Sequence, residues 1–136
     1  MIKAYTDLEK SKVLAGFLPH KSADGTWEKV SICGAIVDIP ENMQYRHKEI
    51  PFKYFSGVGI PCWSLAALLG VLPTTIGNFF ERNALRLRMD KGENDFNIWY
   101  ENFDCGDVAE GLDVREGNPI DACFEMILNL NKQKLL

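Results

Sequence analysis

At 136 residues the chain has room for one domain, burying roughly two-thirds of the surface its unfolded form exposes. Its 46% hydrophobic and 25% charged content is globular and excludes disordered or low-complexity character. A formal net charge of −4 repels phosphate backbones on average, so nucleic-acid binding would need a local basic patch.

The first residues, Met1-Ile2-Lys3-Ala4-Tyr5-Thr6-Asp7, lead into polar helix residues rather than an apolar signal region, and a cytoplasmic location is expected. Thr6-Asp7-Leu8-Glu9 fits a capping box, with Thr6 as N-cap and Glu9 reaching back to its amide. The helix that follows is predicted to run to Leu18, before Pro19, and residues 21–26 read as a loop. Trp27 to Ile39 is rich in β-branched side chains and ends at Pro40, which is a strand pattern. Glu41 to Glu49 reads as a polar connection, and Phe52 to Val58 as a second strand.

From Ser56 to Phe80 no side chain is charged. A bilayer crossing takes about 20 apolar residues, yet Pro61 and Pro73 bracket only Cys62 to Leu72, and the polar Thr74, Thr75 and Asn78 lie beyond. The segment is therefore predicted to be a core helix, apolar nearly all round and buried by the rest of the protein. A short turn or helix is expected from Thr74 to Glu81.

A hairpin follows. Leu85, Leu87 and Met89 alternate with Arg86, Arg88 and Asp90, and after a turn at residues 91–95 Phe96, Ile98 and Tyr100 alternate with Asn97, Trp99 and Glu101. Glycines at 106, 111 and 117 interrupt any period between Phe103 and Gly117, which predicts a long loop. The last helix has a clear start, with Asn118 as N-cap, Pro119 at the first helical position and Asp121 in the first turn. Ile120, Cys123, Phe124, Ile127 and Leu128 form its predicted buried stripe. The expected fold is a single small α+β domain over residues 1–136, in the order α-β-β-α-β-β-α. A mainly antiparallel sheet of about four strands would be covered by two or three helices.

Candidate chemistry is sparse. Cys62, at the predicted N-terminus of the core helix, is the one candidate nucleophile, because exposed amides and the helix dipole lower a thiol pKa there. It would need a base, and the two histidines, His20 and His47, lie in predicted loops. The competing reading is a small apolar residue packed beside Trp63. The carboxylates of Glu101, Asp104, Asp107, Glu110, Asp113 and Glu116 recur every third residue and could collect a divalent cation. They lack the order of a calcium loop, so a solvated acidic loop is the favoured reading and no metal or cofactor is expected. Cys33, Cys62, Cys105 and Cys123 form no C-x-x-C pair, and free thiols are predicted.

Arg86, Arg88 and Trp99 share the polar side of the hairpin. With Arg82 and Lys91 they resemble a single-strand nucleic-acid platform, although edge-protecting charges give the same pattern. They are also the residue types enriched at protein interface hot spots. No G-x-S-x-G, H-E-x-x-H, Walker or dinucleotide fingerprint occurs. The favoured expectation is a non-catalytic module that binds a protein partner or itself through Arg86, Arg88 and Trp99. The alternatives are a small enzyme using Cys62 or the acidic loop, and a single-stranded nucleic-acid binder using the 82–99 hairpin.

Three segments, Ala4-Tyr5-Thr6-Asp7-Leu8-Glu9, Ile60 to Leu69 with Leu72-Pro73, and Asn118 to Cys123 with Glu125-Met126-Ile127, resemble an uncharacterised family of short bacterial proteins often found with phages or mobile elements. The resemblance agrees with the three helix starts and carries no function, cofactor or site residues; a link of the expected interaction module to a mobile element is the one association it suggests.

Overall fold

The computed structural model describes residues 5–29, 45–48, 59–77 and 83–136. It is an α+β protein whose strands pair antiparallel throughout, in two sheets ordered β2-β1-β3 and β4-β5-β6-β7. The chain divides into two compact units, one ending at Ala67 and the other running from Leu68 to Leu136.

In the first unit, α1 spans Leu8–Ala15 and a 3₁₀ turn spans His20–Ser22, followed by β1 (Gly25–Lys29), β2 (Tyr45–Lys48) and β3 (Gly59–Cys62). Helix α1 packs on β3. Its N-cap is Asp7, which accepts from the Lys10 amide at 2.9 Å, and not the expected Thr6. The Thr6 side chain is drawn into the interior instead. Its Oγ1 accepts from the Trp63 amide at 3.1 Å and lies 2.7 Å from Ser11 Oγ, while its amide donates to the Trp63 carbonyl at 2.9 Å. The helix closes at Gly16, and Phe17 and Leu18 follow in a turn bonded back to the Leu14 carbonyl.

Strand β2 falls within the segment expected to be a loop, pairing Trp27 with His47 and Glu28 with Arg46. The predicted strand over 52–58, the part of the 27–39 strand beyond Lys29, and Cys33 lie outside the described residues. Pro61 lies in β3, which among the described residues ends its sheet order, a position where a residue without an N–H is tolerated.

The expected helix from Cys62 is shorter and starts later: α2 spans Leu65–Val71 and carries the chain from the first unit to the second. Cys62 ends β3. Two acceptors set the change of conformation. Asp24 Oδ1 takes the Ser64 amide at 2.8 Å and its other oxygen bonds the Ser64 hydroxyl, while Ser64 Oγ accepts from the Ala67 amide at 3.2 Å as a helix cap. The helix is one-sided rather than apolar-buried all round. Leu68 is fully buried, whereas Leu69 is 37% exposed.

In the second unit, β4 (Thr75–Ile76) lies in the stretch expected to be a turn or helix. The predicted hairpin is present as β5 (Leu85–Lys91) and β6 (Phe96–Asn102), in the register Arg86↔Glu101 and Arg88↔Trp99. The expected loop over 103–117 is instead largely strand, β7 (Val108–Glu116). Its period is hidden by a break in register between Trp99 and Glu101, beside Gly111 at φ +75°, a conformation that favours glycine. Beyond the break, buried Leu112 and Val114 alternate with exposed Asp113 and Arg115.

Helix α3 (Pro119–Lys132) begins as expected, with Asn118 Oδ1 accepting from the Asp121 amide at 2.9 Å. It packs on β6 and β7. Ile120, Cys123, Ile127 and Leu130 are buried at steps of three and four; Leu128, placed in the stripe from sequence, is only partly buried. Each large apolar side chain so covered contributes about 1.5–3 kcal/mol. Ile98 and Tyr100 of β6 are also fully buried, and the Tyr100 hydroxyl donates to the Pro73 carbonyl at 2.6 Å.

Candidate interaction surface

Strand alternation gives the second sheet two unlike faces. One carries Leu87, Ile98, Tyr100 and Val114, the side on which the buried residues lie and on which α3 packs. The other carries Arg86, Arg88 and Asp90 from β5, Asn97, Trp99 and Glu101 from β6, and Asp113 and Arg115 from β7. The three residues singled out from sequence, Arg86, Arg88 and Trp99, are therefore brought together on adjacent strands.

Glu101, which the sequence places both on the polar side of the hairpin and in the acidic run, organises them. Its Oε1 accepts from Arg86 Nε at 2.8 Å and lies 3.5 Å from Arg88 Nε, while Oε2 accepts from the Trp99 indole N–H at 3.3 Å. The Glu101 side chain is only 13% exposed, against 53% for Arg88. The Arg86 hydrogen bond first, and then the Trp99 hydrogen bond, hold its carboxyl below the ordinary value; nearby positive charge acts the same way. The Arg86 guanidinium carbon also stands 5.3 Å from the centroid of the Phe103 ring, within cation–π range. Phe103 is itself exposed and escaped the sequence reading because it lies just past the hairpin. Glu101 was within reach of that reading, since the hairpin register sets it opposite Arg86.

Exposed ion pairs add little to stability, so the effect of this arrangement is to fix geometry. Two guanidinium groups and an indole are held in defined positions at a solvent-facing sheet surface. Further along the same face, Arg115 Nε donates to Asn97 Oδ1 at 2.8 Å and lies 3.5 Å from Asp95. The remaining carboxylates, Asp90 and Asp113, are exposed.

Cys62 stands apart. It is the last residue of β3 rather than the first turn of a helix, and it is fully buried. Burial, and then the negative charge of Asp24, push its thiol up to about 12, opposite to the shift that a helix N-terminus would give. His20 Nε2 lies 3.2 Å from the Ala15 carbonyl, and His47 is in β2. Cys123, also buried, is pushed up to about 11 by its surroundings, while Cys105 is exposed; all three described thiols are free. The acidic residues from Asp104 to Glu116 are strung along a turn and β7. Among the described residues, no group of three or more His, Cys, Asp or Glu side chains is placed to hold a metal ion. Nor is any helix among them long and apolar enough to cross a membrane.

No family model matches the chain, and no curated protein or solved structure is significantly similar to it.

Proposed function

We propose that the chain is a non-catalytic recognition module that binds a protein partner through the solvent-facing side of the β5–β6 hairpin, with Trp99, Arg86 and Arg88 as its anchors. One observation carries this reading: a single shielded carboxylate, Glu101, orients all three side chains on adjacent strands. Side chains ordered before contact lose less freedom on binding, which is where preorganised surfaces gain affinity. Trp and Arg are also the types over-represented among residues that dominate interface energy. Glu101 and the exposed Asp90 and Asp113 offset the arginine charge on this face, which favours a protein partner over a nucleic-acid backbone. An accessory role in a mobile element rests on the resemblance of the three segments alone.

The test is partner capture from a lysate of the source cell, with the wild-type chain beside an Arg88→Ala, Trp99→Ala variant. The reading expects proteins retained by the wild type and lost from the variant. Equal capture by both would defeat it, and a mobility shift of single-stranded oligonucleotides abolished by the same substitutions would replace it with the nucleic-acid reading.

A further inference from the structure

Strand β7 ends the sheet order β4-β5-β6-β7, and its free side can be worked out from the hydrogen bonds. On β6, the Asn102 amide donates toward β7, to the Asp107 carbonyl at 2.8 Å, whereas the next residue, Phe103, donates toward the β5 side, to the Ala84 carbonyl at 3.0 Å. Backbone groups alternate in direction along a strand, so Phe96 and Ile98 exchange bonds with Glu116 and Val114, the residues opposite them. It follows that the amides and carbonyls of Asp113 and Arg115 point out of the sheet. Among the described residues, no strand pairs with that side of β7. The open stretch has a limit: the Glu110 carbonyl is taken by Gln133 Nε2 at 3.2 Å, and Gly111 breaks the strand at φ +75°. What remains is Leu112 to Glu116.

An open edge invites another strand, and charged side chains on such an edge usually oppose pairing. Here their order makes them selective. Asp113 and Arg115 lie on one face with Val114 between them. If two copies of the edge meet antiparallel with Asp113 opposite Asp113, or with Arg115 opposite Arg115, like charges face each other. The register between these two sets Val114 opposite Val114 and places Asp113 of each copy opposite Arg115 of the other. It makes two opposite-charge pairs and aligns the outward amides and carbonyls of both strands. Arg115 is 73% exposed, leaving its guanidinium room to reach across while it stays near Asn97.

We propose that β7 pairs with β7 of a second copy of this chain, antiparallel about a two-fold axis at Val114, with Asp113 of each copy opposite Arg115 of the other. The joined sheet would have eight strands. Pairing through the strand edge leaves the Trp99 face of each copy open, so the inference stands independently of the function proposed above.

Sedimentation velocity over a range of concentrations tests it on the full chain, using wild type, Arg115→Asp, Asp113→Arg, and the double reversal. The wild type should form a concentration-dependent dimer. Each single reversal turns two attractive cross-strand pairs into repulsive ones and should weaken the dimer by at least about tenfold; the double reversal restores opposite charges and should recover most of that loss. A wild type that stays monomeric up to about 0.5 mM, a concentration at which even weak association registers, would overturn the proposal. So would single reversals that dimerise like the wild type, or a double reversal that recovers nothing. Circular dichroism checks folding. Should a reversal unfold the chain, the neutral variant Asp113→Asn, Arg115→Gln answers the same question, expected to weaken the dimer several-fold and overturning the proposal if it does not.

Discussion

Replacing Thr6 by Val probes the interior of the first unit at one atom. Thr6, Ser11 and Trp63 are all fully buried. The Thr6 hydroxyl accepts from the Trp63 amide at 3.1 Å and lies 2.7 Å from Ser11 Oγ, which also donates to the Thr6 carbonyl at 3.2 Å. Valine keeps the shape and removes the acceptor. The buried Trp63 amide loses that partner, at a cost of about 1–3 kcal/mol, and one hydroxyl–hydroxyl bond worth about 1 kcal/mol goes with it. We expect Thr6→Val to destabilise by about 2–4 kcal/mol and Ser11→Ala by about 1–2 kcal/mol. The double variant should fall short of the sum by about 1 kcal/mol, because both single changes remove the same bond. The assay is urea unfolding followed by the fluorescence of Trp27 and Trp63, which lie in the first unit, in a Trp99→Phe background that silences the second. A loss below about 0.5 kcal/mol for Thr6→Val, or strict additivity, would refute the reasoning.

Other outcomes follow from the same geometry. Asn118→Ala removes the cap that accepts the Asp121 amide and should cost about 1 kcal/mol in thermal or urea unfolding; no measurable loss would show that the cap is dispensable. The Glu101 carboxyl is held below its ordinary value near 4.5. Its contribution to stability should therefore be complete above that value and be lost as pH falls through the lowered folded-state pKa. A carboxyl titration followed by NMR should show the depressed value returning toward normal in Arg86→Ala, and an unchanged titration would count against the arrangement around Glu101. With iodoacetamide near neutral pH, Cys105 should label well before Cys62 and Cys123, whose thiols burial keeps protonated. Labelling of Cys62 ahead of Cys105 in folded protein would reverse that conclusion.

The parts of the fold legible in the sequence were those where one local signal acts alone. Asn118-Pro119 fixes the start of α3, and the alternation through Leu85–Glu101 fixes the hairpin and, with it, the shared face of Arg86, Arg88 and Trp99. The errors arise where two signals overlap or where a distant partner decides. Thr6 and Asp7 are both good caps, and only the approach of Trp63, 57 positions away in sequence, draws Thr6 inward and leaves the cap to Asp7. Cys62 to Leu72 reads as one apolar run, but Asp24 captures Ser64 and divides it into the end of a strand and a short helix. That division is why the sequence alone points to a helix N-terminus at Cys62, where the fold has the end of a strand. In β7 a one-sided apolar pattern exists only at Leu112 and Val114, after the break beside Gly111, so three scattered glycines outweighed it. The role of Glu101 depended on reading across the hairpin rather than along the chain.

The proposed recognition surface is tested most directly by the affinity of a captured partner for the wild-type chain and for single-site variants, measured by titration calorimetry. Trp99→Ala and Arg88→Ala should each weaken binding by roughly thirtyfold, as about 2 kcal/mol at an interface anchor implies. Glu93→Ala, at the exposed hairpin turn, should leave it unchanged. Equal affinities for wild type, Trp99→Ala and Arg88→Ala would contradict the account.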